Sequence, residues 1–354
     1  MTGTCVDVII PVHTDQRPIA RAVASVLEGS TADVQVTVVC HNITATAIAT
    51  ALGAWSTDAR VRLLEFADGL PSPAGPINAG YAASTAEFTA LLDSDDEYEP
   101  GAVDAWLRVQ RRDDADVVIQ PLRHADGTSK RTPPTRPGRF RALDGVRDRL
   151  AYRTRQHGLV RRARFPELAM TPALRTGEDV IQGATLWYSD ARISYATRTP
   201  AYVIHSDNDD RTSTSPKPAA ESLAFLDAVL GYEFASRLST AQRESFAIKL
   251  LRTHVMDVLA LSLASGAAPM DLAAIGDAVR RILDLSPSAI GIVSRRESRI
   301  LRELLGPADP GRLATEHAVL TDYRRPSNLV PATWGKFLHR EAPLRFLAAI
   351  VFTP

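Results

Sequence analysis

Residues 88–96 read Phe-Thr-Ala-Leu-Leu-Asp-Ser-Asp-Asp, and the way this stretch ends decides how the chain is read. An apolar run suited to a buried strand stops at three carboxylates, Asp93, Asp95 and Asp96, with Glu97 and Glu99 just beyond. That much negative charge at a strand tip repels itself unless a cation sits there. In open α/β sheets, ligands bind outside the carboxyl ends of the strands, and hard oxygen donors two residues apart suit Mg²⁺ or Mn²⁺ bridging to phosphates. A second reading stays open here: Glu99-Pro100-Gly101 leads into a helical pattern over 102–112, and acidic residues with a first-turn proline also suit a helix start.

Working outward, strand and helix patterns alternate over the first 120 residues. Strand-like runs span 6–12, 34–40, 61–66, 88–92 and 116–121. Between them lie helical patterns at 16–27, with Ile19, Val23, Val26 and Leu27 on one face, and at 45–55, 77–86 and 102–112. Such alternation predicts an α/β fold, a parallel sheet flanked by helices and of nucleotide-binding type. Beyond Pro121 the pattern changes. A basic, turn-rich stretch over 124–139 reads as a hairpin excursion or a flap, 142–150 as a helix, 180–188 as a helix, and 191–196 and 201–205 as strands, followed by a polar loop to 218. From Ala219 the chain is helical by pattern to about Leu305, with breaks near Leu238, Gly266 and Ser286. The expected organisation is an α/β domain over 1–218 and a mainly α-helical region over 219–354.

Composition excludes several classes. The 354 residues are 45% hydrophobic and 23% charged, which argues against disorder and fibrous structure, and Lys+Arg balance Asp+Glu at 41 each, so no global field favours nucleic acid. Cys5 and Cys40 both fall in predicted strands and read as buried free thiols of a reduced compartment. Asp7 and Pro11 interrupt the first apolar run, and no window reaches the ~18 apolar residues of a spanning helix. The expectation is a cytoplasmic protein, at most touching the inner face of a membrane.

The Glu178-Asp179 pair has two explanations. Thr176 followed three residues later by Asp179 matches a capping box, in which hydroxyl and carboxylate satisfy orphan backbone N–H groups. A carboxylate at a helix N-terminus is also held ionised, the state a general base needs.

Together these signals resemble the inverting family 2 glycosyltransferases of the GT-A fold. The likeness is carried, in the family's order, by Val8-Ile9-Ile10-Pro11-Val12, Ala24-Ser25-Val26-Leu27, Asn78-Ala79-Gly80, Ala86-Glu87-Phe88 and Leu91-Leu92-Asp93-Ser94-Asp95-Asp96. Tyr98-Pro100-Gly101, His157 to Arg162, Gly177-Glu178-Asp179-Val180 and Tyr202…His205…Arg211…Ser213 follow. The resemblance spans roughly residues 5 to 215 and implies a mostly parallel, Rossmann-like sheet and transfer of a sugar from a nucleoside-diphosphate donor.

It also implies roles. Pro11, Val12 and His13 line the nucleotide pocket, and Asn78 touches the nucleotide or the loop shaping its pocket. Asp93 lies toward ribose and sugar, with Ser94 beside it, and Asp95 binds the divalent cation, Mn²⁺ or Mg²⁺, that bridges both phosphates. Asp179 is the base and Glu178 orients acceptor or donor sugar. His205 is a further metal or diphosphate contact, for which a strand-end histidine bonded to its loop is the plain alternative. Arg211 and Ser213 belong to a phosphate-binding loop. The partners implied are a nucleotide-sugar donor and a glycan, lipid-linked or small-molecule acceptor.

One departure concerns the donor. Where the family places an acidic pair that reads the base, this chain has Cys40-His41-Asn42, and the Asn42 amide offers both donor and acceptor. A UDP-sugar is favoured, with GDP- and dTDP-sugars open. Leu92-Asp93-Ser94-Asp95 is also similar to the motif of haloacid-dehalogenase-type phosphatases, but it lies on the fourth strand and Glu97 stands where they carry Thr or Val. A non-catalytic binding protein on the same scaffold is the other alternative, against which intact Asp93, Asp95 and Asp179 speak. At the end of the chain, 334–354 interleaves Lys336, His339, Arg340 and Arg345 with Trp334, Phe337, Leu338, Leu344, Phe346 and Leu347. That pattern suits a helix lying in a membrane interface, or one packing back onto the helical region or a second subunit, and the latter is the expectation.

Overall fold

The computed structural model describes residues 5–155, 158–206 and 217–353. Three βα steps open the chain: β1 (Val6–Val12), α1 (Ile19–Leu27), β2 (Val34–His41), α2 (Ala45–Leu52), β3 (Val61–Phe66) and α3 (Ala74–Ala83). Next come β4 (Phe88–Leu91), β5 (Glu97–Tyr98), α4 (Ala102–Asp113), β6 (Val117–Ile119), β7 (Leu122–His124) and β8 (Ser129–Lys130). The α/β part closes with β9 (Leu159–Arg161), α5 (Val180–Trp187), β10 (Ile193–Tyr195) and β11 (Tyr202–Ile204).

A seven-stranded sheet runs β10-β6-β9-β4-β1-β2-β3. β1 lies at its interior, covered on both faces, so Val6, Val8, Ile9 and Ile10 are all fully buried. A side chain of that kind contributes about 1.5–3 kcal/mol on burial, and an unbroken apolar run is what a doubly covered parallel strand requires. α1 turns Ile19, Ala22, Val23, Val26 and Leu27 toward the core at helical spacing. The sheet is mostly parallel, as expected, with one exception: β9 runs antiparallel between β4 and β6, because the chain re-enters the sheet from a long excursion rather than through a crossover helix.

That excursion contributes β7 and β8 to a second sheet, ordered β5-β11-β7-β8. β7 and β8 form a hairpin, so the basic stretch over 124–139 begins as a hairpin excursion. The helix expected over 142–150 does not form. Asp144 Oδ1 accepts from the Val146 and Arg147 N–H groups at 3.1 and 2.7 Å, Arg149 adopts a left-handed φ of 52°, and a Cβ on Gly145 would come within 1.9 Å of the Trp187 carbonyl oxygen. A local Asp turn thus competes successfully with the helix.

The helical region breaks where its sequence indicates. A Ser239–Gln242 capping box opens Thr240–Leu250 just after Leu238, Gly266 follows Met256–Ala264, and Ser286 ends Pro269–Leu285. Its apolar core takes in Val180 and Ala184 of α5 together with Phe225, Ile248, Ile275 and Leu301, so α5 joins the two halves. The end of the chain packs back as well. Glu341, wholly buried, accepts hydrogen bonds from Ser245 Oγ (3.2 Å) and the Tyr152 hydroxyl (3.4 Å) and lies 3.6 Å from Arg252, whose guanidinium also covers the Phe346 ring. Leu338, Leu344, Val351 and Phe352 remain exposed. Among the described residues no helix is long and apolar enough to cross a membrane.

Candidate active site

The acidic stretch after β4 is a tight turn. The Asp96 N–H donates to the Asp93 carbonyl at 3.1 Å, and the second sheet holds the turn from above. Tyr202 on β11 accepts from the Asp93 N–H (3.1 Å) and donates to Asp96 Oδ2 (2.7 Å), while the His205 N–H donates to Asp96 Oδ1 at 2.8 Å. Burial and the nearby Asp93 charge push the Asp96 carboxyl up to about 7, even though both hydrogen bonds favour its ionised form. Asp96 therefore belongs to the fabric of the turn. Asp93 and Asp95 are turned differently, each onto an arginine: Arg155 donates to Asp93 Oδ1 and Arg17 to Asp95 Oδ2, while Arg21 donates to the Asp95 carbonyl.

Arg155 connects this turn to a second one. Its Nη1 lies 4.0 Å from Glu178 Oε1, so one guanidinium serves an acid from each turn. Burial works against its charge, and Asp93 and Glu178 more than offset that, holding Arg155 above its ordinary pKa. The segment bearing it is fixed by Arg153, whose side chain donates to the carbonyls of Gln120 (2.5 Å) and Thr132 (3.0 Å), and whose own carbonyl accepts from the Trp187 indole at 2.8 Å.

The second turn is Gly177-Glu178-Asp179. Gly177 has a φ of 76°, and a Cβ there would stand 2.6 Å from the Phe225 ring, so glycine alone fits both the backbone and the neighbour. The capping box read into Thr176 and Asp179 is not present. Asp179 is itself the N-cap of α5 with no side-chain capping bond, and the Thr176 hydroxyl is buried without a hydrogen-bond partner among the described residues. The reason is the glycine turn, which places Asp179 at the cap position instead of inside the first turn. Burial, then repulsion from Asp179, push the Glu178 carboxyl up to about 7, with Arg155 acting in the opposite sense.

The remaining candidates are distributed as follows. Pro11, Val12 and His13 lie at the carboxyl end of β1, beside Cys40 of β2 in register. Asn78 on α3 clamps the backbone of Met170, donating to its carbonyl at 3.0 Å and accepting from its N–H at 2.8 Å, so it holds a loop. Asn42, left-handed at φ 57°, accepts from the Asp68 and Gly69 N–H groups, which ties its amide into the loop after β3. Ser94 is buried inside the acidic turn. His205, at the end of β11, has its Nε2 3.1 Å from Glu97 Oε1, where the β5–β11 pairing brings the two together. Among the described residues no three His, Cys, Asp or Glu side chains converge as a preformed metal cage. Arg211 and Ser213, like His157, lie outside the described residues.

Sequence reasoning missed Arg17, Arg21, Arg155, Tyr202's double hydrogen bond and Lys249, a buried lysine whose charge Asp179 helps to support.

Residues 7–169 match the model of the family described as "Glycosyl transferase family 2". No curated protein matches the sequence. Among solved structures, TarS 1–349 of S. aureus in complex with UDP-GlcNAc superposes with a TM-score of 0.73 at 14% identity, covering 90% of this chain and 92% of that one. A second crystal structure of S. aureus TarS 1–349 gives 0.70 at 14% identity over 90% of this chain and 91% of that one. At this identity the likeness speaks for a shared GT-A architecture.

Proposed function

Through residues 7–169 the chain belongs to glycosyl transferase family 2, and from that premise we propose that it is a divalent-cation-assisted, inverting transferase moving a sugar from a UDP-sugar to a hydroxyl acceptor. The observation that supports the reading is Arg155, which pairs with Asp93 of one acidic turn and lies 4.0 Å from Glu178 of the other, so that the two turns face one guanidinium.

In this reading the acceptor hydroxyl attacks the anomeric carbon of the donor while its proton passes to Asp179. The bond from that carbon to the phosphate oxygen breaks with its electron pair leaving on the nucleoside diphosphate. One displacement inverts the centre, and no covalent enzyme intermediate is needed. A positioned base contributes about 10²–10⁴-fold. The absence of a capping bond at Asp179 supports the base role, since its carboxylate is not committed to the helix start. Glu178, raised by burial, suits a hydrogen-bonding role toward a sugar hydroxyl.

Two hard carboxylates on one turn fit a cation that completes its coordination with phosphate and water oxygens, as Mg²⁺ does. Asp95 and Asp93 would hold it, and it would supply Lewis-acid stabilisation of the leaving diphosphate. UDP is favoured because the TarS structure that shares the architecture carries UDP-GlcNAc. The acceptor class stays as broad as the sequence implies: glycan, lipid-linked or small molecule.

A thermal-shift screen of UDP-, GDP- and dTDP-sugars with Mn²⁺, followed by assay of diphosphate release for wild type and Asp179→Asn, tests the reading. A ligand at a hundredfold its dissociation constant adds about 2.7 kcal/mol, so the UDP-sugar should stand out. The variant should bind donor normally and release diphosphate orders of magnitude more slowly. Binding to none of the donors overturns the donor-site reading, and normal release from Asp179→Asn removes the base assignment. Donor binding with no release from wild type, whatever acceptor is offered, favours the non-catalytic alternative.

A further inference from the structure

Asp93 and Asp95 are the two carboxylates of the acidic turn that fit a cation, and each is engaged by a guanidinium from another part of the chain. On Asp95 that guanidinium belongs to Arg17, in the connection between β1 and α1. Arg17 donates to Asp95 Oδ2, and the pair is closed off from solvent, with 8% of the arginine side chain and 12% of the aspartate side chain exposed. Arg21 on α1 donates to the Asp95 carbonyl and so fixes the same residue through its backbone. The turn itself is tied down on both sides. The Leu92 N–H donates to the Ile9 carbonyl at 3.1 Å, and Tyr202 and His205 hold Asp96 from the second sheet.

This arrangement sets a condition on what the turn can take up. A divalent cation on Asp95 would lie beside Arg17 and be repelled by it, and in a site this closed the repulsion is weakly screened. A cation arriving alone therefore has to compete with Arg17 for the carboxylate. A diphosphate removes the conflict. Its oxygens accept from a guanidinium in the same forked geometry as a carboxylate does, and its negative charge can lie between the two positive groups. The place is right for it as well. β1 pairs with β2 on one side and β4 on the other, so the loop bearing Arg17 and the turn bearing Asp95 border the crevice where the strand order reverses.

We propose that Arg17 is a diphosphate-binding residue that also makes cation binding depend on the nucleotide: it holds Asp95 until cation and diphosphate enter together, and then passes from the carboxylate to the phosphate oxygens. The inference rests on the reading of Asp95 as a cation ligand. Arg17 then opposes a divalent cation that arrives without a nucleotide and favours one that arrives with it. A nucleoside without phosphates is indifferent to Arg17.

The test is calorimetric titration of Mn²⁺ alone, of UDP with saturating Mn²⁺, and of uridine into wild type, Arg17→Met and Arg17→Lys, with melting curves to show that each is folded. Arg17→Met should bind Mn²⁺ alone about tenfold tighter than wild type and UDP with Mn²⁺ about tenfold weaker, the loss of one hydrogen bond to a charged group. A merely structural role would not move the two affinities in opposite directions. Uridine binding should be unchanged, and Arg17→Lys, which keeps the charge, should fall between. Mn²⁺ affinity that is unchanged or weaker in folded Arg17→Met overturns the inference, and so does unchanged UDP affinity. Should Arg17→Met not fold, wild type decides, and equal affinity for Mn²⁺ with and without UDP overturns it. Failure of this inference alone is recognised by Asp95→Asn losing Mn²⁺-dependent UDP binding while Arg17→Met matches wild type; an Asp95→Asn that keeps it marks failure of the cation reading itself.

Discussion

Arg155 hydrogen-bonds Asp93 across 62 residues of sequence, so the first acid of the strand-tip turn has a cationic partner supplied by the protein. A half-buried guanidinium between two acids is held by charge balance, and with 23% of its side chain exposed its removal costs less than the roughly 3–5 kcal/mol of a fully buried pair. Arg155→Met should therefore lower the melting temperature. If Asp93 also helps hold a cation, Mn²⁺ with UDP should narrow the gap to wild type, because the metal then supplies the missing charge. An unchanged gap in differential scanning fluorimetry would remove Asp93 from the cation site.

Asp95 is the acid expected to bind the metal most directly, and it is 8% exposed and paired with Arg17. Deleting the carboxylate would take away an acceptor of that guanidinium, so Asp95→Asn, which keeps an oxygen acceptor, is the cleaner variant. Calorimetry should find that Mn²⁺ tightens UDP binding to wild type but not to Asp95→Asn. Undiminished metal dependence in the variant would exclude Asp95 as a ligand.

How far the sequence disclosed this arrangement depends on the range of the interactions involved. Asp93, Asp95, Glu178 and Asp179 were legible because each sits in a short pattern, a strand followed by acids or a helix start with two carboxylates. The base-or-cap ambiguity at Asp179 was not resolvable locally. It turned on Gly177, whose left-handed φ and contact with Phe225 come from tertiary packing. The helix missed at 142–150 failed for a related reason, since an Asp144 side-chain turn and a close Gly145–Trp187 approach outweigh helical spacing. Arg155 carried no local signal at all, because its partner Asp93 lies in a distant segment. The nearness of His205 to Glu97 follows from the β5–β11 pairing, which joins segments about a hundred residues apart and has no local signature.

Glu178 gives a pH prediction whose sign follows from linkage. Its folded pKa, about 7, lies above the ordinary value of 4.5, so between those values the folded chain binds protons that the unfolded chain has released. Stability from this group is present at low pH and is lost as pH rises from about 4.5 toward 7. Glu178→Gln removes the ionisation and should raise stability relative to wild type by on the order of 1–3 kcal/mol at pH 8, with little difference near pH 4.5. Urea unfolding at both pH values reads the effect. A difference that is the same at both would mean Glu178 is not held protonated by the fold.

The end of the chain yields the last prediction. Glu341 has no exposed surface, touches Tyr152 and Ser245 through hydrogen bonds and lies beside Arg149 and Arg252, while His339 bonds Glu244 at 2.8 Å and Arg131 donates to the Val351 carbonyl at 3.1 Å. Truncation after Ala332 would leave Arg149 and Arg252 buried without this acid and uncover the Tyr152 ring that Phe346 now meets at 4.8 Å. The truncated chain should melt well below wild type or aggregate, and Glu341→Gln alone should reproduce part of the loss. The outward residues Leu338, Leu344, Val351 and Phe352 are too few to carry stability but suffice for a weak contact with a bilayer or a second copy. Co-sedimentation with anionic vesicles, run on wild type and on a Leu338→Ser, Leu344→Ser, Val351→Ser, Phe352→Ser variant of unchanged melting temperature, separates the two roles. Unchanged melting of the truncated chain together with loss of vesicle binding would show that the segment serves the membrane and not the fold.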